Sequence, residues 1–249
     1  MRTRPKRARG RLCACLATAL TLAASACANG QTVTAGVEAP RSDEFDGAIG
    51  QEWTPQNIEL VDVEVSEGAL VMTPNQFSVW FHADQGPAYF QSVSGDFQVT
   101  TSVRARSADS PDRPVESYFQ FAGLMVRDPA SDGPEPENYV FSVVGYRGDY
   151  LSHETKNTVN DLSMVDGPPW PTGDAELRIC RVGPDIKLFI RTIGAAEWIP
   201  AIEYTRDDFP AELQVGPIAY AYTDDVDLRA TFDYVRFGTV ERPSDCVAE

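Results

Sequence analysis

LQVGPIAYAYTDDVDLRATFDYVRF, residues 213–237, contains the clearest pair of strand patterns near the end of the chain. Apolar residues alternate from Leu213 to Ala219, a polar turn follows at 223–225, and alternation resumes from Leu228 to Phe237. A repeat of two residues is typical of β-strands. The two runs are therefore predicted to be neighbouring antiparallel strands near the end of a large all-β domain.

The same alternation recurs along the chain between turns rich in Gly, Pro and Asp. Further strands are predicted at 61–65, 68–72, 77–81, 96–106, 118–127, 139–146, 150–155, 175–181, 186–192 and 196–199. No segment combines helix caps with an apolar period of 3.6 residues. The pattern predicts a two-sheet sandwich such as a jelly roll.

The composition suits one domain with a sizeable core, since 43% of the 249 residues are hydrophobic. Six of the 21 basic residues lie within the first eleven positions. Without them, 15 basic residues stand against 37 acidic ones, a formal charge of −22. Such a charge repels phosphate backbones, so we expect no nucleic-acid partner.

The first 27 residues have the pattern of an export signal. A basic segment precedes an apolar stretch at 12–24, which is too short to span a bilayer stably. The residues before and at Cys27 fit either an ordinary signal-peptidase site or a bacterial lipobox, in which Cys27 becomes the lipidated N-terminus. We expect an exported protein, secreted or periplasmic or anchored in a membrane only by that lipid. Residues 28–42 are predicted to be a flexible tether, 43–240 the jelly-roll domain, and 241–249 a C-terminal tail.

Two cysteines, Cys180 and Cys246, remain once the signal segment and Cys27 are set aside. In an exported protein two remaining cysteines favour a disulfide, which here would hold the C-terminal tail against a strand. Two separate buried thiols are the alternative.

Seven short motifs follow one another along the domain. They are DEFDG at 43–47, EGAL at 67–70, VSGDF at 93–97, FAGLMVR at 121–127, LRI at 177–179, LQVG at 213–216 and FDYVRF at 232–237. In this order they resemble the concanavalin A-like lectin/glucanase superfamily, most nearly the bacterial domain family DUF1349, which is related to the C-terminal domain of some β-xylosidases. The resemblance implies a jelly-roll sandwich of two curved antiparallel sheets, whose concave sheet binds or cleaves sugars in relatives.

The catalytic motifs of that superfamily are absent from the sequence. Glycosidases need two carboxylates beside the scissile bond, and laminarinase-type members carry them as E-x-D-x-x-E on one strand. The strand set of alginate lyases is also incomplete, because YFQFAG at 118–123 lacks the lysine and no Gln-Ile-His occurs. A non-catalytic carbohydrate-binding or adhesion-like module is the leading interpretation. The alternatives are a glycoside hydrolase or polysaccharide lyase with a non-standard site using His153 and Glu154, or a purely structural cell-envelope interaction domain.

A sugar site needs an aromatic face for the ring and a few polar groups for the hydroxyls. Candidates on the concave sheet for a carbohydrate or cell-envelope glycan are Trp80, His82, Arg127, Tyr139, His153, Glu154 and Lys156. Trp170, in a loop bracketed by prolines, is a further candidate. Residues such as Trp80 and Trp198 are more often part of a core, and Glu154 with Lys156 also suits a cross-sheet ion pair.

The resemblance also implies a structural calcium ion away from the concave face, where the first and last strands of laminarinase-type relatives meet. The matching positions here are Glu44, the carbonyl of Gly68, and Asp233. Calcium takes six to eight oxygen ligands, which backbone carbonyls and water can complete. The alternative is that Asp233 pairs with Arg236 or Arg229, or caps a turn.

Overall fold

The computed structural model describes residues 40–248, which form two packed antiparallel sheets of seven strands each. The strands are β1 Thr54–Gln56, β2 Val61–Ser66, β3 Ala69–Pro74, β4 Ala88–Ser94, β5 Phe97–Ser107, β6 Gln120–Arg127, β7 Tyr139–Tyr146, β8 Leu151–Val159, β9 Leu162–Asp166, β10 Asp174–Val182, β11 Asp185–Arg191, β12 Ile199–Thr205, β13 Glu212–Ala221 and β14 Leu228–Gly238. Short 3-10 turns occur at Ile58–Leu60, Pro129–Asp132 and Pro243–Val247. The predicted jelly-roll sandwich is confirmed.

Sheet 1 has the strand order β1-β4-β13-β6-β7-β8-β9, and sheet 2 has the order β12-β11-β10-β5-β14-β3-β2. Alternate residues of both sheets point into the space between them and form the main core. From sheet 1 these include Leu124 and Val126, and from sheet 2 Val99, Val103 and Leu177. The predicted hairpin joining residues 175–181 to 186–192 is present as β10 and β11.

Strands β13 and β14 lie in different sheets, so the prediction that they pair with each other is wrong. Strand β13 lies between β4 and β6, whereas β14 lies between β5 and β3. The side-chain Oε1 of Gln120 accepts hydrogen bonds from the backbone N–H groups of Asp227 (3.0 Å) and Leu228 (2.9 Å), where the chain enters sheet 2. Alternation cannot assign a strand to a sheet, because both inner faces pack on the same core.

A β-bulge at Asp233 interrupts the alternation of β14. Phe232 pairs with Val103, and Tyr234 pairs with the next residue along β5, so Asp233 has no partner of its own. Because the extra residue shifts the alternation, Phe232 and Val235 both face the core. The sequence pattern had placed these two side chains on opposite faces.

Residues 75–87, which we call the cover segment, join β3 to β4 and cross the face of sheet 1 that is turned away from sheet 2. We call this face the outer face. The predicted strand at 77–81 is therefore wrong. Trp80 is fully buried there, with its ring edge-on to Phe90 and Tyr139 at centroid distances of 6.4 and 5.8 Å. The cover segment and the outer face together form a second apolar cluster.

The C-terminal residues are fastened to the outer side of sheet 2. The predicted disulfide between Cys180 and Cys246 is confirmed. Arg178 Nη1 also donates to the carbonyl oxygens of Cys246 (2.9 Å) and Ala248 (2.8 Å). The end of the chain up to residue 248 is therefore part of the packed structure.

The predicted signal peptide, the lipidation site Cys27 and nearly all of the predicted tether lie outside the described residues. The predicted domain start at Asp43 pairs with Val235 through two backbone hydrogen bonds of 2.8 Å. Within residues 40–248, no helix has the length and apolar character needed to cross a bilayer.

Candidate functional site

Strand β8 directs alternate side chains to opposite faces of sheet 1. Glu154 and Lys156 point to the outer face, where both line a pocket. His153 points the other way, towards the main core, and its Nε2 lies 2.8 Å from Ser142 Oγ. Burial lowers the pKa of His153 to about 4. The structure therefore separates His153 from the two charged residues, and it does not assemble the alternative active site of His153 with Glu154.

The pocket has a volume of about 260 Å³ and lies on the outer face beside the cover segment. We call it the aromatic pocket. Glu154 and Lys156 form its floor, and each residue is no more than 3% exposed. Its walls are largely aromatic and apolar: Val79, Phe81, Tyr118, Phe119, Val165, Tyr220 and Tyr222.

Lys156 is held as a buried cation. Its Nζ donates to the carbonyl oxygen of Trp80 at 2.6 Å and lies 4.6 Å from the ring centre of Phe141. Burial lowers the pKa of Lys156 to about 8, although the nearby Glu154 carboxylate opposes that shift. The aromatic rings and Glu154 thus compensate part of the lost hydration.

Glu154 presents one oxygen that no described residue hydrogen-bonds. Its Oε1 accepts from the Tyr220 hydroxyl at 3.3 Å, whereas Oε2 is buried without a donor. Arg147 Nη1 lies 3.9 Å from Oε2, beyond hydrogen-bond range. Burial raises the pKa of Glu154, while Lys156 and Arg147 oppose the rise. A buried acceptor without a donor is costly, and a ligand hydroxyl could satisfy it.

Exposed aromatic side chains surround the opening of the pocket. Phe77, Tyr118 and Tyr222 are 47%, 54% and 46% exposed. The rings of Phe77 and Tyr222 are 5.1 Å apart, and those of Tyr118 and Phe119 are 4.6 Å apart. Such a continuous exposed aromatic surface is typical of a binding site.

The sequence analysis missed this aromatic rim. Tyr222 lies next to the predicted polar turn, and Phe77 lies in a segment predicted to be a strand. The available signal was the density of aromatic residues at 118–121, three in four positions. In a strand only every second side chain faces the core, so at least one of these three aromatic side chains has to lie on the opposite face.

Arg127, Trp80 and Tyr139 lie together at the other, filled end of the outer face. Arg127 is fully buried and binds Glu137 through two hydrogen bonds of 2.9 and 2.7 Å. It also donates to Gln214 at 2.7 Å, and its guanidinium centre is 5.7 Å from the Trp80 ring. These partners satisfy the arginine within the protein. The geometry places Arg127 in a structural network outside the aromatic pocket.

His82 and Trp170 also lie away from the aromatic pocket lining. His82 is exposed, and its Nδ1 is 2.8 Å from the carbonyl oxygen of Asp161 near the start of β9. The Trp170 ring packs against the main core, and its Nε1 donates to the Asp174 carbonyl at 3.0 Å. Of the seven predicted glycan residues, only Glu154 and Lys156 meet in one pocket.

The two carboxylates predicted to hold calcium are each paired with an arginine. Asp233 forms an ion pair with Arg104 and accepts from Ser102 Oγ at 2.8 Å. Glu44 binds Arg236 through contacts of 2.6 and 2.7 Å. Across residues 40–248, no three His, Cys, Asp or Glu side chains are grouped as a metal site. These arginine partners do not fit a calcium site built on Asp233 and Glu44, and the calcium prediction is otherwise untested.

Gly68, the third predicted ligand position, adopts a left-handed backbone conformation with φ of 74°. It follows Glu67, whose φ of 56° is also positive, in the turn between β2 and β3. Glycine tolerates this conformation without steric cost, which explains its presence in the turn.

No family model and no curated protein matches the sequence. Among solved structures, the fold is similar to that of a functionally unknown protein from Saccharomyces cerevisiae, with 15% identity, a TM-score of 0.62, and coverage of 77% of this chain and 98% of that one. It is also similar to a GH43 protein from Bacillus licheniformis (14% identity, TM-score 0.61) and a xylan beta-1,4-xylosidase from Bacillus halodurans (17%, 0.61). For both, the alignment covers 80% of this chain and 39% of the other. The similarity shows the sandwich fold, and the expected relation to DUF1349 is not confirmed.

Proposed function

We propose that this protein is a non-catalytic carbohydrate-binding module whose ligand occupies the aromatic pocket. The observation that carries the proposal is Glu154, which lines an aromatic-walled pocket and whose buried Oε2 has no hydrogen-bond donor among the described residues. A sugar hydroxyl can donate to this oxygen while the sugar ring packs against an aromatic side chain. Lys156 and Tyr220 hold the carboxylate in place for that contact.

The pocket chemistry supports binding over hydrolysis. Among the described residues that line the pocket, Glu154 is the single carboxylate. Glycoside hydrolysis uses two carboxyl groups, one as acid and one as base or nucleophile. A lone buried carboxylate beside a lysine can orient a ligand hydroxyl. The described lining of the pocket offers no second carboxylate to attack the glycosidic carbon.

The charge of the chain favours a neutral glycan. The excess of acidic residues repels polyanionic chains such as polyuronides. The solved structures of similar fold include one described as a xylan beta-1,4-xylosidase. Xylan-derived and other neutral plant polysaccharides are therefore the first ligands to test.

We place this module outside the cytoplasm, on the basis of the sequence pattern of the first 27 residues. A disulfide within the domain suits an oxidising compartment. Lipidation of Cys27 would hold the glycan-binding domain at the cell envelope. Incorporation of labelled palmitate that disappears in Cys27→Ala would support the anchor, and equal labelling of both proteins would refute it.

The proposed function is tested by binding the purified protein to insoluble xylan, cellulose and mannan, with pectate and alginate as anionic comparators. Tyr118→Ala and Tyr222→Ala remove exposed ring surface, and each is expected to weaken binding roughly tenfold. Ile199→Ala is the matched control, because Ile199 is similarly exposed at an edge of sheet 2. Failure to bind any neutral polysaccharide, or unchanged affinity in both tyrosine variants, would refute the proposal.

A further inference from the structure

The outer face of sheet 1 is not an open groove, because the cover segment is fastened across it. The Ser78 backbone N–H donates to the Ala221 carbonyl at 2.8 Å, near the end of β13. In the middle of the segment, the Trp80 carbonyl accepts from Lys156 Nζ and the Trp80 ring is buried. The His82 N–H donates to Ser163 Oγ of β9 at 2.9 Å.

The second half of the cover segment is held as firmly. Asn57 Nδ2 donates to the carbonyl oxygens of Gln85 (3.0 Å) and Gly86 (3.1 Å). Gln85 Nε2 donates to Glu137 Oε1 at 2.6 Å, which links the segment to the buried Arg127 network. These hydrogen bonds and the burial of Trp80 make the segment a fixed wall.

This wall converts the face of the sheet into a pocket with a closed end. Val79 and Phe81 of the cover segment line one side of the aromatic pocket, and Val165 of β9 contributes to its lining. The volume of about 260 Å³ is below the ~300–1,000 Å³ of sites for drug-sized ligands. We infer from this volume that the pocket takes about one sugar ring, and that the cover segment blocks the path of an unbroken polysaccharide chain past Val79 and Phe81.

We propose that the module recognises the end of a neutral glycan chain, with one terminal sugar residue in the aromatic pocket and the following residues on the exposed rim. This inference rests on the proposed function and narrows its ligand class. The exposed rings of Phe77, Tyr118 and Tyr222 provide a surface where the rest of the chain can leave the pocket. Glu154 Oε2 accepts a hydrogen bond from a hydroxyl of the terminal residue.

A terminal residue also differs chemically from an internal one. In a linear chain, an internal sugar residue uses one of its hydroxyl oxygens in the glycosidic bond to its neighbour. The non-reducing terminal residue keeps that hydroxyl free. An internal residue offered to the pocket floor would lack that donor, and Glu154 Oε2 would stay without a hydrogen bond. Sites built to satisfy a buried polar group discriminate strongly against ligands that lack the matching group.

The test compares intact polymers with their short oligomers at equal mass, because hydrolysis increases the number of chain ends and leaves the mass of sugar nearly unchanged. Xylan, mannan and mixed-linkage β-glucan are each used intact and after partial acid hydrolysis to short oligomers, as soluble competitors against the same immobilised polymer. For every polymer that retains the protein, we expect the hydrolysate to compete at a mass concentration at least tenfold lower than the intact polymer does. Equal competition per unit mass would overturn the chain-end inference while leaving glycan binding intact, whereas no binding to any of them would overturn the proposed function itself.

Two variants extend the test to the wall of the pocket. Phe81→Ala removes a ring that the cover segment contributes to the pocket lining. We expect this variant to lose most of the tenfold preference, so that hydrolysate and intact polymer compete at more nearly equal mass concentrations. Phe77→Ala acts on the rim only, because Phe77 is exposed and does not line the pocket, so it is expected to weaken both competitors by the same factor. Melting curves identify any variant that fails to fold, and a folded Phe81→Ala protein with an unchanged preference would count against the closed-end pocket.

Discussion

Glu154 and Lys156 stand two residues apart on β8, with Oε1 and Nζ separated by 3.8 Å and both side chains almost closed to water. Each charge loses hydration there, and each is stabilised by the other. Removal of one partner from such a pair leaves an uncompensated buried charge, which costs more than the pair itself contributes. The two residues therefore act as one unit in both stability and ligand contact.

Glu154→Gln and Lys156→Met are each expected to lower the free energy of unfolding by about 3–5 kcal/mol, because each leaves its partner unpaired. The double variant is expected to lose less than the sum of the two single losses. Urea unfolding of the four proteins measures this coupling. Additive losses would show that the two charges do not stabilise each other.

His153 is expected to make the protein sensitive to mild acid. Its folded pKa of about 4 is below the usual 6.5, so between these values the unfolded chain binds a proton that the folded chain does not. Stability therefore falls as the pH drops from 6.5 towards 4, and this group alone contributes about 3 kcal/mol of that loss. Urea midpoints at several pH values should fall less steeply for His153→Gln, and parallel profiles would contradict the burial of a neutral imidazole.

Arg127 is expected to act in stability and not in glycan contact. Arg127→Met leaves the buried carboxylate of Glu137 without its partner, so the expected loss is about 3–5 kcal/mol. Arg113→Met is the matched control, because the ion pair of Arg113 with Glu116 is exposed and its loss costs under about 1 kcal/mol. Glycan affinity per folded molecule, measured below the melting range, should be unchanged in both. Weakened glycan binding by a folded Arg127→Met protein would show that Arg127 contributes to the ligand site.

The Cys180–Cys246 disulfide closes a long loop, because the two cysteines are 66 residues apart. Its removal in the Cys180→Ser/Cys246→Ser double variant is expected to lower stability by about 2–4 kcal/mol. Urea unfolding with and without reductant measures the loss, and reductant should have no effect on the double variant. In a protein that begins after Cys27, two free thiols titrated under denaturing, non-reducing conditions would contradict the disulfide.

Calcium provides a test of the predicted metal site. Because Arg104 neutralises Asp233 and Arg236 neutralises Glu44, we expect the melting temperature to be the same in calcium and in chelator. A ligand that binds only the folded state would raise the melting temperature. A rise in calcium that is lost in Asp233→Asn would establish the metal site and show that the arginine pairing is displaced by the ion.

Much of the architecture follows from the alternation of residues. Strand β5 and the hairpin of β10 and β11 lie close to their predicted positions, since each buries one apolar face. The cover segment was misread because its aromatic-rich run at 77–81 is typical of a strand, whereas in the structure consecutive residues of that run are buried against sheet 1. The assignment of β13 and β14 to separate sheets depends on long-range pairing, which a local pattern does not contain.

The candidate site was partly predictable for a similar reason. Glu154 and Lys156 share a face by parity, and the same parity excludes His153 from it. The burial of Arg127 could not be read from the sequence, because it depends on Glu137 and Gln214, which lie on other parts of the chain. The aromatic pocket depends on the path of the cover segment over the sheet, because Val79 and Phe81 line it, and that path is a tertiary feature.

The position of β13 and β14 sets the order in which this chain can complete its fold. Strand β13 is the link between β4 and β6 in sheet 1, and β14 is the link between β3 and β5 in sheet 2. The link β13 is not complete until Ala221 has been synthesised, and β14 not until Gly238, so the facing edges of β4 and β6, and of β3 and β5, stay unpaired while the preceding strands are made. Unpaired edges invite association with other chains. This topology therefore ties closure of both sheets to synthesis of the last two strands of the domain.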